Sequence, residues 1–286
     1  MSSATIDLPS SAIPIPRIGF GVYKLRGAAC TTAVLEALSA GYRHIDSAAL
    51  YRNEHLVRAA VESSDLARED VFLTTKVGSP KARRGSGNGQ ADDDEVYHSV
   101  VESLNRIAGE DGYVDLLLIH VPGPSSEHRE KLWAAMERLR GEERVRAVGV
   151  SNYRIRHLEE MREYATTCPP SVNQIELHPW CQQRDLVAYC QTHGIVVEAY
   201  SPLATGARLD DPTLQRIATK HHKSPAQILV RYALQNDWIP LPKSANVDRI
   251  RENFSVFDFA LDEDDMGALN ALDEGSRGAV FRMNVD

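Results

Sequence analysis

Apolar residues along this chain recur in two alternating patterns. Short β-branched or apolar runs are separated by longer stretches in which apolar positions return every three or four residues, the pattern of strands alternating with amphipathic helices. Eight runs predict strands: IGFGVY (18–23), HIDSA (44–48), VFLTTKV (71–77), VDLLLIH (114–120), VRAVGVSN (145–152), SVNQIEL (171–177), IVVEAYS (195–201) and WIPLPKS (238–244). Helical periodicity fills the gaps over 29–38, 53–62, 93–107, 127–140, 155–164, 184–192, 212–236 and 247–254. Gly41, Gly141 and Gly194 sit where helices should stop, and the acidic run DDDE at 92–95 suits a first helical turn. Eight strand–helix units with no Pro/Ser-rich linker predict an α/β protein, a (β/α)8 TIM barrel forming a single domain over 1–286. An open doubly wound sheet is the competing topology.

Two segments depart from this rhythm. KARRGSGNGQ (81–90) is rich in glycine and charge and predicts a mobile loop; its glycines do not make the G-x-G-x-x-G turn of a dinucleotide-binding sheet. LDEDDMGALNALDEG (261–275) predicts an additional C-terminal helix, followed by a tail, GAVFRMNVD, that can fold over the barrel mouth.

Composition narrows the function. The chain has 286 residues, 43% hydrophobic and 25% charged, enough for a sizeable core. A net charge of -8 argues against a nucleic-acid partner, which needs a concentrated positive surface. No window approaches the roughly 18 apolar residues of a membrane span, and MSSATIDLPSSAIPIP lacks a basic start followed by an apolar run. The reading is a cytoplasmic protein with no membrane partner. Cys30, Cys168, Cys181 and Cys190 are widely spaced without a C-x-x-C pair, so they read as free thiols.

Chemistry in such barrels gathers where strands end. Asp46, Lys76, His120, Ser151 with Asn152, Gln174 with Glu176, Tyr200 with Ser201, and Lys243 with Ser244 lie at or near those ends, and Tyr51 follows Asp46 in its loop. A tyrosine keeps its proton to about pH 10 unless a nearby positive charge favours the phenolate. Lys76 would provide that charge, Asp46 would tether Lys76, and His120 would hydrogen-bond to the phenol or to a bound carbonyl oxygen. Together they make a general acid aimed at an oxygen that becomes alkoxide. Each also has a plainer account: Asp46 and Lys76 as a buried ion pair, Tyr51 as a loop aromatic, His120 as a core histidine. The stretch PKSANVDRIRENF adds a helix start beyond the last strand, where Lys243, Ser244 and Arg249, with Asn253 one turn on, suit a phosphate.

GYRHIDSAALYRNE (41–54), TTKV, VDLLLIHVP, VGVSNY, SVNQIELHPW and IPLPKSANVDRIRENF, in this order, resemble the segments of the aldo-keto reductase family from about Ile18 to Phe259. The resemblance implies a barrel that binds NADPH/NADP+ across its rim and reduces an aldehyde or ketone, a small-molecule carbonyl substrate, to an alcohol. Tyr51 would then donate the proton, His120 would orient the carbonyl, and Lys76 with Asp46 would lower the tyrosine pKa. It further implies that Ser151, Asn152 and Gln174 hold the nicotinamide carboxamide and that Tyr200 stacks under its ring. Gly21, Val22, Asp46, Ser201, Leu203, Lys243, Ser244, Arg249, Glu252 and Asn253 complete the implied cofactor set, and Lys243, Ser244 and Arg249 favour NADPH over NADH.

The chain departs from the resembled pattern near the substrate. Val77, Gly78 and Ser79 stand where an aromatic residue is frequent, Tyr23 stands where a Trp is common, and the loop VPGPSSEHRE after His120 is short. A more open pocket follows, with Tyr23, Trp180 and Phe281 as candidates for lining it. No metal is expected; the rival metal-dependent barrel hydrolase would use His44, Asp46, His120 and His178, with Lys76 orienting, but leaves Tyr51 unexplained. A non-catalytic NADPH-binding subunit of the same fold is a second rival. The expected assembly is a monomer or weak oligomer.

Overall fold

The computed structural model describes residues 5–78 and 92–283. The Gly-rich segment 81–90 and the last three residues of the tail lie outside the described residues. An antiparallel hairpin opens the chain, β1 (Thr5–Leu8) and β2 (Ile13–Pro16). Eight parallel strands follow: β3 (Phe20–Gly21), β4 (His44–Asp46), β5 (Phe72–Val77), β6 (Val114–Ile119), β7 (Val145–Ser151), β8 (Val172–Glu176), β9 (Val196–Tyr200) and β10 (Ile239–Leu241), paired in sequence order. The backbone N–H groups of Gly19 and Gly21 donate to the carbonyls of Pro240 and Pro242 at 3.0 Å each, joining the first barrel strand to the last. The expected (β/α)8 barrel is therefore the fold, and the open sheet is excluded.

The outer helices are α1 (Gly27–Ala40), α2 (Glu54–Glu62), α3 (Asp93–Ala108), α4 (Ser126–Gly141), α5 (Ile155–Glu160), α6 (Arg184–Thr192), α7 (Pro212–His221), α8 (Pro225–Gln235) and α9 (Val247–Phe254), and α10 (Glu263–Asn270) is the additional C-terminal helix. Boundary chemistry explains their ends. Asp92 caps α3 by accepting from the Glu95 N–H, and Gly41 closes α1 at φ 109°, where a side chain would also strike the Phe254 ring. The single helix expected over 212–236 is two. His222 turns left-handed at φ 53°, and Ser224 and Gln227 form a capping box with Pro225 in the first turn of α8.

Side chains alternate between barrel interior and helix layer with period two. Outward residues such as Leu117, Ile119, Val148, Ile175 and Val197 pack against helix residues including Trp133 and Met136. Inward residues change character with height. Phe72, Leu116, Leu118, Ala147, Val172, Ile239 and Leu241 form an apolar floor, closed by Leu8 and Ile15 of the hairpin. The hairpin was not expected from the sequence; its role is to seal this floor. One step higher along the strands stand His44, Thr74, Gly149, Gln174 and Glu198, and then Asp46 and Lys76. Gly149 has no room for a side chain, since a Cβ there would lie 2.7 Å from Leu118 and 2.8 Å from the Val172 carbonyl. Among the described residues no helix is long and apolar enough to cross a membrane, and the four cysteines are unpaired.

Candidate active site

β4 ends on Asp46 and the neighbouring β5 carries Lys76 to the same height. Lys76 Nζ donates to both carboxylate oxygens of Asp46 at 2.6 Å and to the Ser47 carbonyl at 2.9 Å. Both side chains are almost fully buried, and this complete set of partners offsets the cost of removing the charges from water. Tyr51 closes a short 3-10 turn, Ala49–Tyr51, before Arg52 reverses the chain at φ 57°. Asn53 fastens this loop to the end of the first barrel strand, donating to the carbonyls of Val22 and Leu25 at 2.9 and 3.1 Å and accepting from the Ser47 hydroxyl at 3.0 Å. The Tyr51 ring centre thereby lies 5.4 Å from Lys76 Nζ and 5.7 Å from the His120 ring, edge to face. The four residues singled out in the sequence converge.

Protonation states follow from burial. The Tyr51 hydroxyl is held well above the usual phenol range, first by burial and then by the Asp46 carboxylate and Tyr23. This runs against the expectation that Lys76 with Asp46 lowers it: burial is the largest cause and the net direction is upward. Burial and the Lys76 charge push the His120 imidazole down to about 3, so it is neutral at physiological pH. His44 is neutral for the same two reasons and pairs with Thr74 Oγ1 at 2.9 Å. His178 pairs with Glu176 at 3.0 Å. Among the described residues no group of three or more His, Cys, Asp or Glu side chains is arranged to hold a metal, which removes the hydrolase alternative's proposed ligand set.

The expected cofactor residues occupy one side of the rim. Ser151 Oγ donates to the Gln174 carbonyl at 2.8 Å, Asn152 Nδ2 donates to the His120 carbonyl at 2.9 Å and to Ser151 Oγ at 3.1 Å, and Tyr200 OH donates to Asn152 Oδ1 at 2.9 Å. Asn152 and Ser201 turn the chain out of their strands at φ 62° and 50°. Lys243 and Arg249 are exposed, and among the described residues neither has an ion-pair partner. Ser244 is buried beneath them, and Asn246 caps α9 by accepting from the Arg249 N–H at 3.0 Å. Asn253 is buried and Glu252 partly so, one turn further on; Leu203 is half-buried after β9. Gly21 and Val22 are buried, their N–H groups bonded to Pro242 and Asp46 carbonyls. They offer shape to a ligand rather than free donors.

Tyr23 stands 5.0 Å from Tyr51 and 6.0 Å from Phe281, and Phe281 lies 6.1 Å from Tyr200, forming an aromatic border around the Tyr51 ring. Trp180 does not belong to that border. It is only 1% exposed, and its carbonyl accepts from the Glu274 N–H at 3.0 Å, so it anchors the C-terminal segment from below instead of lining an open pocket. Two interior carboxyls went unassigned in the sequence. Glu176 accepts from the N–H groups of Val280 and Phe281 at 2.6 and 2.9 Å, and Glu198 accepts from Gln174 Nε2 at 2.7 Å. The available signal was an acidic residue inside an otherwise apolar strand run, IVVEAYS.

Comparison with known proteins agrees with this geometry. The model of the Aldo/keto reductase family matches residues 17–274. The chain is 36% identical over 279 residues to methylglyoxal reductase DkgA of Escherichia coli, covering 97% of this chain and 96% of that protein. It is 39% identical to glyoxal reductase of Bacillus subtilis over 272 residues, covering 93% and 92%. Among solved structures, an aldo/keto reductase of Brucella melitensis superposes with a TM-score of 0.85 at 42% identity, covering 96% of this chain and 99% of that one. An aldo-keto reductase of Bombyx mori in complex with NADP superposes with a TM-score of 0.84 at 34% identity, covering 98% and 96%. On a barrel of the expected form, with this convergence at its rim and likeness along almost its whole length, the chain belongs to the aldo/keto reductase family.

Proposed function

We propose that the protein reduces short aldehydes and α-dicarbonyls to alcohols with NADPH, Tyr51 donating the proton. The single observation carrying this reading is a protonated phenol placed between a neutral imidazole and a tethered ammonium. Of the two acids in the site, an imidazole pushed down to about 3 carries no surplus proton at neutral pH. Tyr51 does. His120 would instead hold the carbonyl oxygen by hydrogen bond, fixing it against the phenol. As that oxygen becomes an alkoxide, a stronger base than a phenolate, Tyr51 would transfer its proton. The Lys76 ammonium, kept in place by Asp46, would then face the phenolate left behind.

The residues present suit the dinucleotide. Two exposed cations without ion-pair partners among the described residues, Lys243 and Arg249, stand at the capped start of α9, and at the other end of the row lie the oxygen-rich edges of Asn152 and Gln174 beside the flat face of Tyr200. Lys243, Ser244 and Arg249 would take the 2′-phosphate and Asn253 with Glu252 the adenine end; Ser151, Asn152 and Gln174 would take the carboxamide. Bound NADPH would supply the hydride to the carbonyl carbon. The aromatic border of Tyr23 and Phe281 suits a compact substrate, in keeping with relatives named for methylglyoxal and glyoxal. Tyr51→Phe should lower turnover of methylglyoxal by at least about 100-fold with NADPH affinity retained. A variant that turned over normally would remove Tyr51 as the proton donor.

A further inference from the structure

Glu198 is fully buried in the barrel interior, directly beside Gln174 in the register of β8 and β9. Its Oε2 accepts from Gln174 Nε2 at 2.7 Å, whereas its Oε1 is buried, has no hydrogen-bond partner among the described residues and lies 3.8 Å from His44 Nε2. A buried carboxyl is costly, and one hydrogen bond is a poor return for a merely structural acid. The partner is informative. Gln174 Nε2 carries two hydrogens, and the second goes to Asp46 Oδ2 at 2.9 Å. With both N–H bonds occupied by carboxyl oxygens, turning the amide over would set Gln174 Oε1 against them. Only Oε1 remains for a ligand.

The neighbouring groups are similarly committed. The Ser151 hydroxyl donates to the Gln174 carbonyl, both Asn152 N–H bonds go to His120 and Ser151, and the Tyr200 hydroxyl donates to Asn152. What this corner offers is acceptor oxygen. We infer that Glu198 is a positioning residue for the cofactor: with Asp46 it fixes the Gln174 amide so that its carbonyl oxygen receives the N–H of the nicotinamide carboxamide. Burial and Asp46 push the Glu198 carboxyl up to about 8, and either protonation state leaves Oε2 able to accept. The inference rests on the proposed placement of the carboxamide at Gln174.

The test compares dissociation constants, by fluorescence titration, of NADPH and its 3-acetylpyridine analogue, which has a methyl group in place of the NH2. The wild-type protein should prefer NADPH by about five-fold, the usual worth of one such hydrogen bond. Glu198→Gln keeps an acceptor and should keep the preference. Glu198→Met, similar in shape but unable to accept, should reduce it below about three-fold by weakening NADPH selectively. Glu198→Ser serves in its place if the Met variant shows no cooperative melting. Gln174→Ala separates the two readings. If that variant leaves the preference intact, Gln174 does not hold the carboxamide; if it abolishes the preference while Glu198→Met retains it, the role of Glu198 is overturned.

Discussion

The burial that carries His120 into the wall of the site, with the Lys76 charge, also removes its own charge. Its imidazole, pushed down to about 3, does not titrate between about pH 5 and pH 8, the range in which an ordinary histidine would. The pH profile of kcat/KM for carbonyl reduction should therefore lack an inflection near 6.5, and His120→Gln should lower the rate without changing the profile's shape in that range. An inflection that disappears in this variant would contradict a neutral His120. Arg249 makes the opposite case, an exposed cation that leads off α9. Arg249→Met should raise the KM for NADPH about ten-fold and that for NADH less than about two-fold, since a guanidinium pairs with the extra phosphate and has nothing equivalent on NADH. Equal effects on both cofactors would argue against phosphate recognition there.

At the scale of elements, the C-terminal segment is held by β8. Both oxygens of Glu176 accept main-chain N–H bonds from Val280 and Phe281, and the Trp180 carbonyl, a few residues beyond that strand, accepts from Glu274. This clasp sets the Phe281 ring against Tyr23 and Tyr200. Glu176→Gln would turn one acceptor into a donor facing a backbone N–H, a mismatch of about 1–3 kcal/mol. Amide hydrogen exchange at 279–281 should rise clearly while exchange in the barrel strands stays unchanged. Unaltered protection of that segment would show that other contacts hold it. The division between α7 and α8 is also an element-scale matter. Its signal, Ser-Pro-Ala-Gln at 224–227, is a readable helix start, outweighed in the sequence by apolar periodicity continuing on either side.

For the molecule as a whole, the barrel interior sorts by height into an apolar floor, a polar middle and a reactive rim, and the middle stores a cost. Glu198 faces Asp46 with His44 at its side, while Lys76 counters part of the charge. Its carboxyl holds a proton more tightly in the folded chain, up to about 8 against an ordinary 4.5, so the folded form binds more protons between those values and loses stability as pH rises through them. Glu198→Gln does not titrate. Its melting temperature relative to the wild type should climb between about pH 5 and about pH 8, by about 2–4 °C for each kcal/mol of ionisation cost removed. A difference that stays constant across that range would show Glu198 ionised without penalty.

The order of eight strands, most of their helices and the placing of Asp46, Tyr51, Lys76 and His120 at or just beyond neighbouring strand ends were legible in the sequence, because period-two and period-3.6 patterns and short motifs are local properties of the chain. Neither the sealing hairpin nor the upward shift at Tyr51 was legible. Trp180 is apolar in the sequence whether it lines a pocket or lies beneath a strap, and only the segment 274–281 folding over it decides between them. Glu198 and Glu176 likewise differ from surface acids only through neighbours distant in the chain, Gln174 and Asp46 for one, Val280 and Phe281 for the other. Local pattern assigned residues to strands, helices and faces; burial and charge proximity, which depend on contacts across the barrel, decided which of them are protonated, anchored or exposed to a ligand.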